Sequence, residues 1–266
     1  AHKLSFFEMT VGLAFEYFAK QKVDIAIIEV GLGGRLDSTN IISPEVSVIT
    51  NIGLDHTQFL GETLPEIAYE KAGIIKNDIP VVISEKQNEV NDVFLKTAKE
   101  KTAPLFFAEE EVTKKYDSDL LGNYQQNNIK AAVQTIRILK NKGFKISDTQ
   151  IAKGLLHVVQ NTGLLGRWQH LGNNPTVICD TAHNAHGLKI VLNQIKNEKF
   201  DQLHIVLGLV NDKNLDEILP LFPKKAIYYF CKPPVSRGLD CEILKKKANQ
   251  YNLMGKTYNS VSNAYQ

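Results

Sequence analysis

Glu29 closes the apolar run Asp24-Ile25-Ala26-Ile27-Ile28-Glu29 and opens onto Gly31, Gly33 and Gly34. His56 closes Thr50-Asn51-Ile52-Gly53-Leu54-Asp55-His56, just after a second apolar run over 46–49. Both runs read as buried strands, and open α/β sheets present their ligand-binding side chains at the carboxyl ends of strands. An acid and an imidazole delivered to neighbouring strand ends would share a metal ion. Carboxylate, water and phosphate are what Mg²⁺ prefers. The histidine keeps zinc or manganese open. No third histidine or cysteine lies close enough in sequence to complete a zinc site. Each residue alone also has a plainer role, an ion pair for Glu29 and a backbone-bonded strand end for His56.

Three more groups of residues bear on chemistry. Thr63 and Glu66 form a capping box, and Gly73 suits a left-handed helix end. Lys71 then falls in the last helical turn, where a cation complements the helix dipole. If it is instead desolvated among Ile67, Ala68 and Ile74, its amine titrates lower and can add carbon dioxide to become a metal-binding carbamate. Asn123 to Asn128 is an amide-rich helix start, suited to a cap or to a nucleotide base or phosphate. Arg167 follows Gly166, and Asp180 ends the apolar Val177-Ile178-Cys179, with His183-Asn184 before a helix. A surface arginine, a capping aspartate and a loop histidine are the plain readings. The alternative is that Arg167 beside a hinge and Asp180 beside a strand end clamp a nucleotide between domains, the arginine's planar fork suiting phosphate. Asp212-Lys213 reads as a solvated turn.

The elements that must position these residues alternate along the chain. Strands fit 25–30, 46–49, 81–84 and 105–107, and after the break 176–179, 204–208 and 226–230. Helices fit 6–20, 64–72, 87–101, 124–142 and 148–158, then 187–197, 215–221 and 242–251. Such alternation implies an α/β fold with parallel sheets. The short stretch Asn161-Thr162-Gly163-Leu164-Leu165-Gly166 reads as a linker, so domains are expected over 1–163 and 164–266. The first helix opens on a Ser5-Phe6-Phe7-Glu8 capping box almost at residue one. Its apolar spacing predicts a buried helix, which suggests a chain cut from something longer.

The 266 residues are 43% hydrophobic and 23% charged, with a net charge of +2. That is ordinary globular composition and gives no reason to expect nucleic acid or an acidic membrane as partner. No run reaches the roughly 20 apolar residues of a membrane span, and no signal peptide is evident. Cys179, Cys231 and Cys241 have no metal spacing and read as reduced thiols in a cytoplasmic protein.

In order and spacing, four segments resemble the folylpolyglutamate synthase / dihydrofolate synthase family of the Mur ligase superfamily. They are Glu29-Val30-Gly31-Leu32-Gly33-Gly34-Arg35-Leu36-Asp37, the run from Thr50 to His56, the run from Leu60 to Ile74, and Gly166-Arg167-Trp168 with Asp180-Thr181-Ala182-His183-Asn184. The resemblance implies a Mur-ligase-like central ATPase domain followed by a smaller Rossmann-like domain. It implies an ATP-dependent ligase that joins L-glutamate to a folate or dihydropteroate carboxylate through an acyl phosphate. Glu29 and His56 are then expected as Mg²⁺ ligands, and Lys71 as a carbamylated lysine on a second Mg²⁺. Asn128 and Arg167 are expected to contact ATP, and Asp180 and His183 to act from the second domain. A monomer, closing about a hinge near Gly163, is the expected form.

The family's phosphate-binding loop, G-x-x-G-K-[ST] in form, is not found in these residues. The chain also stops where the family continues through another strand and helix. Both departures give the expectation of a fragment that is inactive alone. A cell-wall ligase acting on a muramyl peptide, a non-catalytic nucleotide-binding module and a metal-dependent hydrolase remain alternatives. Leu32 to Asp37 favours the folate branch over the first, and the joint presence of Glu29, His56, Lys71, Arg167 and Asp180 argues against the other two.

Overall fold

The computed structural model describes residues 3–266. By contact it forms two compact units, residues up to Asp119 with Gln125–Val158, and Leu120–Tyr124 with Val159–Gln266. The border is therefore not one cut in the chain: the five residues Leu120–Tyr124 group with the second unit.

The first unit opens with α1 (Phe6–Gln21), whose capping box is complete: the Glu8 N–H donates to Ser5 Oγ and the Ser5 N–H to the Glu8 carboxylate. Only Val11 of this helix is buried, and Phe6, Met9, Leu13 and Tyr17 are exposed. The buried helix expected from the spacing is not what forms. Next come β1 (Ser47–Ile49), α2 (Thr57–Leu60), α3 (Leu64–Ala72), β2 (Val81–Ile83), α4 (Asn91–Glu100), β3 (Leu105–Phe107), α5 (Ala108–Glu111), α6 (Gln125–Asn141) and α7 (Asp148–Leu156). The strands form one parallel sheet in the order β1-β2-β3, with Ser47 opposite Val81 and Val81 opposite Leu105. Alternation along β2 supplies both faces. Val81 and Ile83 pack with Ile67, Ala68 and Phe94 of α3 and α4, while Val82 packs with Ala131 and Ile138 of α6. All three β2 side chains are buried, as a central parallel strand requires.

The run 25–30 does not form a strand, and Ile27 is 94% exposed. An apolar run becomes a strand only where a neighbour's N–H and C=O groups meet its own. Among the described residues β1 pairs with β2 alone, and Ile28, Glu29 and Val30 share a cleft with residues of β1.

The second unit has α8 (Val158–Thr162) at its border, then β4 (Gln169–Asn173), β5 (Thr176–Cys179), α9 (Ala185–Ile195), β6 (His204–Leu207), α10 (Leu215–Ile218), β7 (Ile227–Cys231), α11 (Cys241–Asn249), β8 (Gly255–Tyr258) and α12 (Val261–Tyr265). β6-β7-β8 form a parallel sheet with Ile205 opposite Tyr228 and Tyr228 opposite Gly255. Its core joins Leu207, Tyr228 and Phe230 to Leu188, Leu192 and Leu244 of α9 and α11. β5, expected in a parallel sheet, instead pairs antiparallel with β4 around the turn at Asn174-Pro175. Parallel pairing needs a crossover of a dozen or more residues, and two residues permit only a hairpin. Among the described residues no helix is long and apolar enough to cross a membrane.

Candidate functional site

The cleft beside β1 has a volume of about 300 Å³, and Glu29, Thr50, Asn51 and Lys71 are among its lining residues. Lys71 reaches it from the last turn of α3. That helix begins with the Thr63–Glu66 capping box and a proline in its first turn. Burial pushes the Lys71 amine below the ordinary lysine range, and the nearby Asp55 carboxylate opposes that shift in part. Gly73, expected in the left-handed region, has φ −61 and ψ −11. It is small for another reason: a Cβ there would meet the Arg35 backbone.

The glycine-rich turn is organised by Asp37. Its carboxylate accepts from the Leu32 N–H at 2.9 Å, the Thr39 N–H at 2.9 Å and the Thr39 hydroxyl. Burial pushes this acid up, but the hydrogen bonds from Thr39 and Leu32 outweigh it and the net position is below the usual aspartate range. Gly33 has φ +64, a conformation that favours glycine. A second cleft of about 250 Å³ lies against this turn, with Phe7, Leu32, Leu36 and Phe59 on its walls and the Asp37 and Glu70 carboxylates beside them.

His56 stands in the left-handed region at φ 50, at the start of α2, with its Nε2 4.0 Å from an Asp55 oxygen. Its imidazole is half exposed and is not among the residues lining the Glu29–Lys71 cleft. The loop that carries it is held by Gln87, whose Oε1 accepts from the Ile52 N–H at 2.7 Å while its Nε2 donates to the Ile52 carbonyl at 2.9 Å. Asn128 lies in the first turn of α6, with its Nδ2 donating to Gln125 Oε1 at 2.9 Å. The Ser84 hydroxyl donates to the Asn127 carbonyl at 3.0 Å, which fixes this helix start at the carboxyl end of β2.

In the second unit Arg167, Asp180 and His183 belong to one turn network. Asp180 Oδ2 accepts from the Tyr124 hydroxyl and the Trp168 N–H, both at 2.8 Å, and its Oδ1 from the Ala182 N–H at 2.8 Å. An arginine Nη1 of residue 167 donates to the Thr181 hydroxyl, which itself donates to the Gly166 carbonyl at 3.1 Å. His183 Nδ1 lies 3.1 Å from the Thr181 carbonyl, and Asn184 caps α9. So Glu29 and Lys71 share one cleft, His56 and Asn128 occupy other places in the same unit, and the remaining three form a separate network. Asp55, Gln87 and the Arg35–Glu70 pair are the residues that sequence reasoning did not single out. The adjacency of Glu70 to Lys71 is the signal that was available for the last.

Arrangement and chemistry can be set beside known proteins. The Mur ligase middle domain matches residues 6–162, and the Mur ligase glutamate ligase domain matches residues 166–266. The dihydrofolate synthase/folylpolyglutamate synthase of Buchnera aphidicola subsp. Schizaphis graminum is 32% identical over 99% of this chain and 64% of its own length. The Escherichia coli FolC structure in complex with DHPP and ADP is 30% identical with a TM-score of 0.84, over 98% of this chain and 64% of that one. The Yersinia pestis bifunctional folylpolyglutamate synthase/dihydrofolate synthase, complexed with AMPPNP and Mn ion, is 27% identical with a TM-score of 0.78, over 99% and 64%. The chain thus spans just under two thirds of the length of these relatives. Its two α/β units, each built on a parallel sheet, and the match over both halves of the sequence show that the chain belongs to the Mur ligase family.

Proposed function

We propose that this chain is part of an ATP-dependent ligase that joins L-glutamate to the carboxylate of a folate or dihydropteroate through an acyl phosphate. The observation that carries the reading is the cleft in which a carboxylate, Glu29, and a half-buried amine, Lys71, come together in a Mur ligase fold. The match of the second half to a glutamate ligase domain supports glutamate as the incoming amine. The relatives crystallised with ADP, with DHPP and with AMPPNP and Mn support a nucleotide, a divalent cation and a pterin-like acceptor. The cleft beside Phe7, Leu32 and Phe59 combines apolar and aromatic side chains with a few polar groups, which suits an aromatic heterocycle.

The donor set fits a hard cation. Glu29, Thr50 and Asn51 offer oxygen atoms to the same cleft, and Mg²⁺ takes one or two protein oxygens while keeping water and phosphate for the rest. Among the described residues no three histidine, cysteine or acidic side chains are grouped for a metal, which is not the pattern of a zinc site. Bound cations would neutralise charge on the transferring phosphoryl group.

The chain's own residues then divide the work. Glu29 would hold the first cation, and His56, whose imidazole lies outside that cleft, would reach it as a second ligand only by a turn of its loop. The Lys71 amine, its proton affinity reduced by burial, would add to carbon dioxide, the C=O π pair passing to oxygen as the N–C bond forms and one amine proton leaving to solvent, and the carbamate would offer its oxygens to a second cation. Asn128 at the head of α6 would offer its amide to a nucleotide, and Arg167 would offer its planar fork to a phosphate. Asp180 acts by fixing the Arg167–Trp168 turn, and His183 lies beside it as a second contact.

The test is ADP release by the full gene product with ATP, Mg²⁺ and glutamate, supplying dihydropteroate or tetrahydrofolate in turn. Release that depends on either acceptor supports the reading and says which synthase it is. No release with either, from folded protein that binds Mg-ATP, overturns the folate assignment.

A further inference from the structure

The turn that follows Glu29 is fastened to the last turn of α3 on both sides of Lys71. Before Lys71, the Arg35 N–H donates to the Glu70 carbonyl at 2.8 Å. The Arg35 guanidinium meets the Glu70 carboxylate side-on, with Nε 3.2 Å from each oxygen and Nη2 2.9 Å from Oε1. After Lys71, Asn40 Nδ2 donates to the Gly73 carbonyl at 2.9 Å. Gly34 lies against the same turn, where a Cβ would come 3.0 Å from the carbonyls of both Glu70 and Lys71. The Tyr69 ring sits 5.7 Å from the guanidinium carbon.

We infer that Arg35 and Glu70 are a positioning pair that sets the direction of Lys71 relative to Glu29. The inference rests on the proposed role of Lys71 as a carbamate. A loose surface ion pair would bring two flexible ends together and hold nothing else. This pair is different because the same two residues are also joined through their backbones. The guanidinium and the carboxylate then prevent the helical turn from rotating about that backbone bond. The two elements so joined are the ones that carry Glu29 and Lys71 into the cleft. A lysine at 35 would keep the charge but lose the side-on geometry, since an ammonium is a point charge without a planar fork.

The experiment compares wild type, Arg35→Lys and Glu70→Gln, each chosen to retain size and folding, the last confirmed by thermal unfolding. Lys71 carbamate is read by ¹³C NMR in ¹³C-bicarbonate. The rate of Lys71 acetylation by acetic anhydride is read by peptide mass spectrometry against the exposed Lys246. Where wild type carries the carbamate, both variants are expected to lose it by about tenfold or more at equal bicarbonate, the scale on which supporting partners of ligands act. Unchanged carbamate in both overturns the inference. A wild type without carbamate overturns the role of Lys71, and acetylation then decides the pair. Faster Lys71 acetylation in the variants, relative to Lys246, supports positioning, and equal rates overturn it.

Discussion

A Cβ added to Gly73 would fall 2.3 Å from the Cα of Arg35, although Gly73 itself sits at an ordinary helical φ of −61. The glycine is there because two backbones touch. Gly73→Ala therefore leaves the helix conformation allowed and forces the glycine-rich turn off α3. Overpacking of this kind costs about 1–3 kcal/mol. Urea unfolding is expected to show that loss, and the ADP-release rate to fall with it, whereas an alanine at the open Gly143-Phe144 turn would test only backbone strain.

Gln87 imitates a strand on the buried Ile52, taking its N–H and giving to its carbonyl. Gln87→Ala strands both backbone groups. An unsatisfied buried donor or acceptor costs about 1–3 kcal/mol. Hydrogen exchange is expected to accelerate at Ile52 and through the loop to His56 while the β2 amides stay protected. Equal exchange in both proteins would show that the loop is held by something else.

Asp37 gives the first unit a pH dependence. Its folded-state pKa lies below the ordinary aspartate value, because the hydrogen bonds from Thr39 and Leu32 exceed the effect of burial. The unfolded chain thus takes up its proton first as pH falls. The stabilisation is whole above the unfolded value of about 3.9 and is lost as pH drops through the folded one. Tm against pH is expected to fall more steeply below about pH 4 for wild type than for Asp37→Asn.

Trp168 is the single tryptophan, and it is 2% exposed at φ 48 with its N–H bonded to Asp180. Asp180→Ala leaves that N–H, the Ala182 N–H and the Tyr124 hydroxyl without their acceptor. The expected results are a red shift of tryptophan emission and a loss of about 1–3 kcal/mol or more in urea unfolding. Tyr124→Phe removes one of the three donors to this carboxylate and is expected to cost less than Asp180→Ala, with emission nearly unchanged.

Local signals were read well from sequence and pairing was not. The capping boxes at Ser5, Thr63 and Ser147 form as spaced, and α3 and β3 keep the expected ends. An apolar run does not say what it pairs with, so the strand expected over 25–30 does not form and β5 runs antiparallel to its neighbour rather than parallel. β4 reads as polar loop because Gln169, His170, Gly172 and Asn173 carry no apolar alternation, though its backbone completes the hairpin. Glu29 and Lys71 are singled out by residue type and local spacing, and the structure brings both to one cleft although the strand expected to carry Glu29 does not form. Gln87 and Arg35 are not, because their meaning lies in partners 35 residues away.

The excursion of Leu120–Tyr124 into the second unit has a consequence for how this protein can be divided. Gln194 holds the Asn123 N–H at 2.7 Å and the Leu121 carbonyl at 3.1 Å, and Asp180 holds Tyr124. A gene segment beginning at residue 164 would deprive the second unit of all three contacts and leave the 6%-exposed Gln194 amide unanswered. Recombination or domain shuffling at the apparent linker would therefore yield a damaged module, so the two units are expected to be exchanged as one piece.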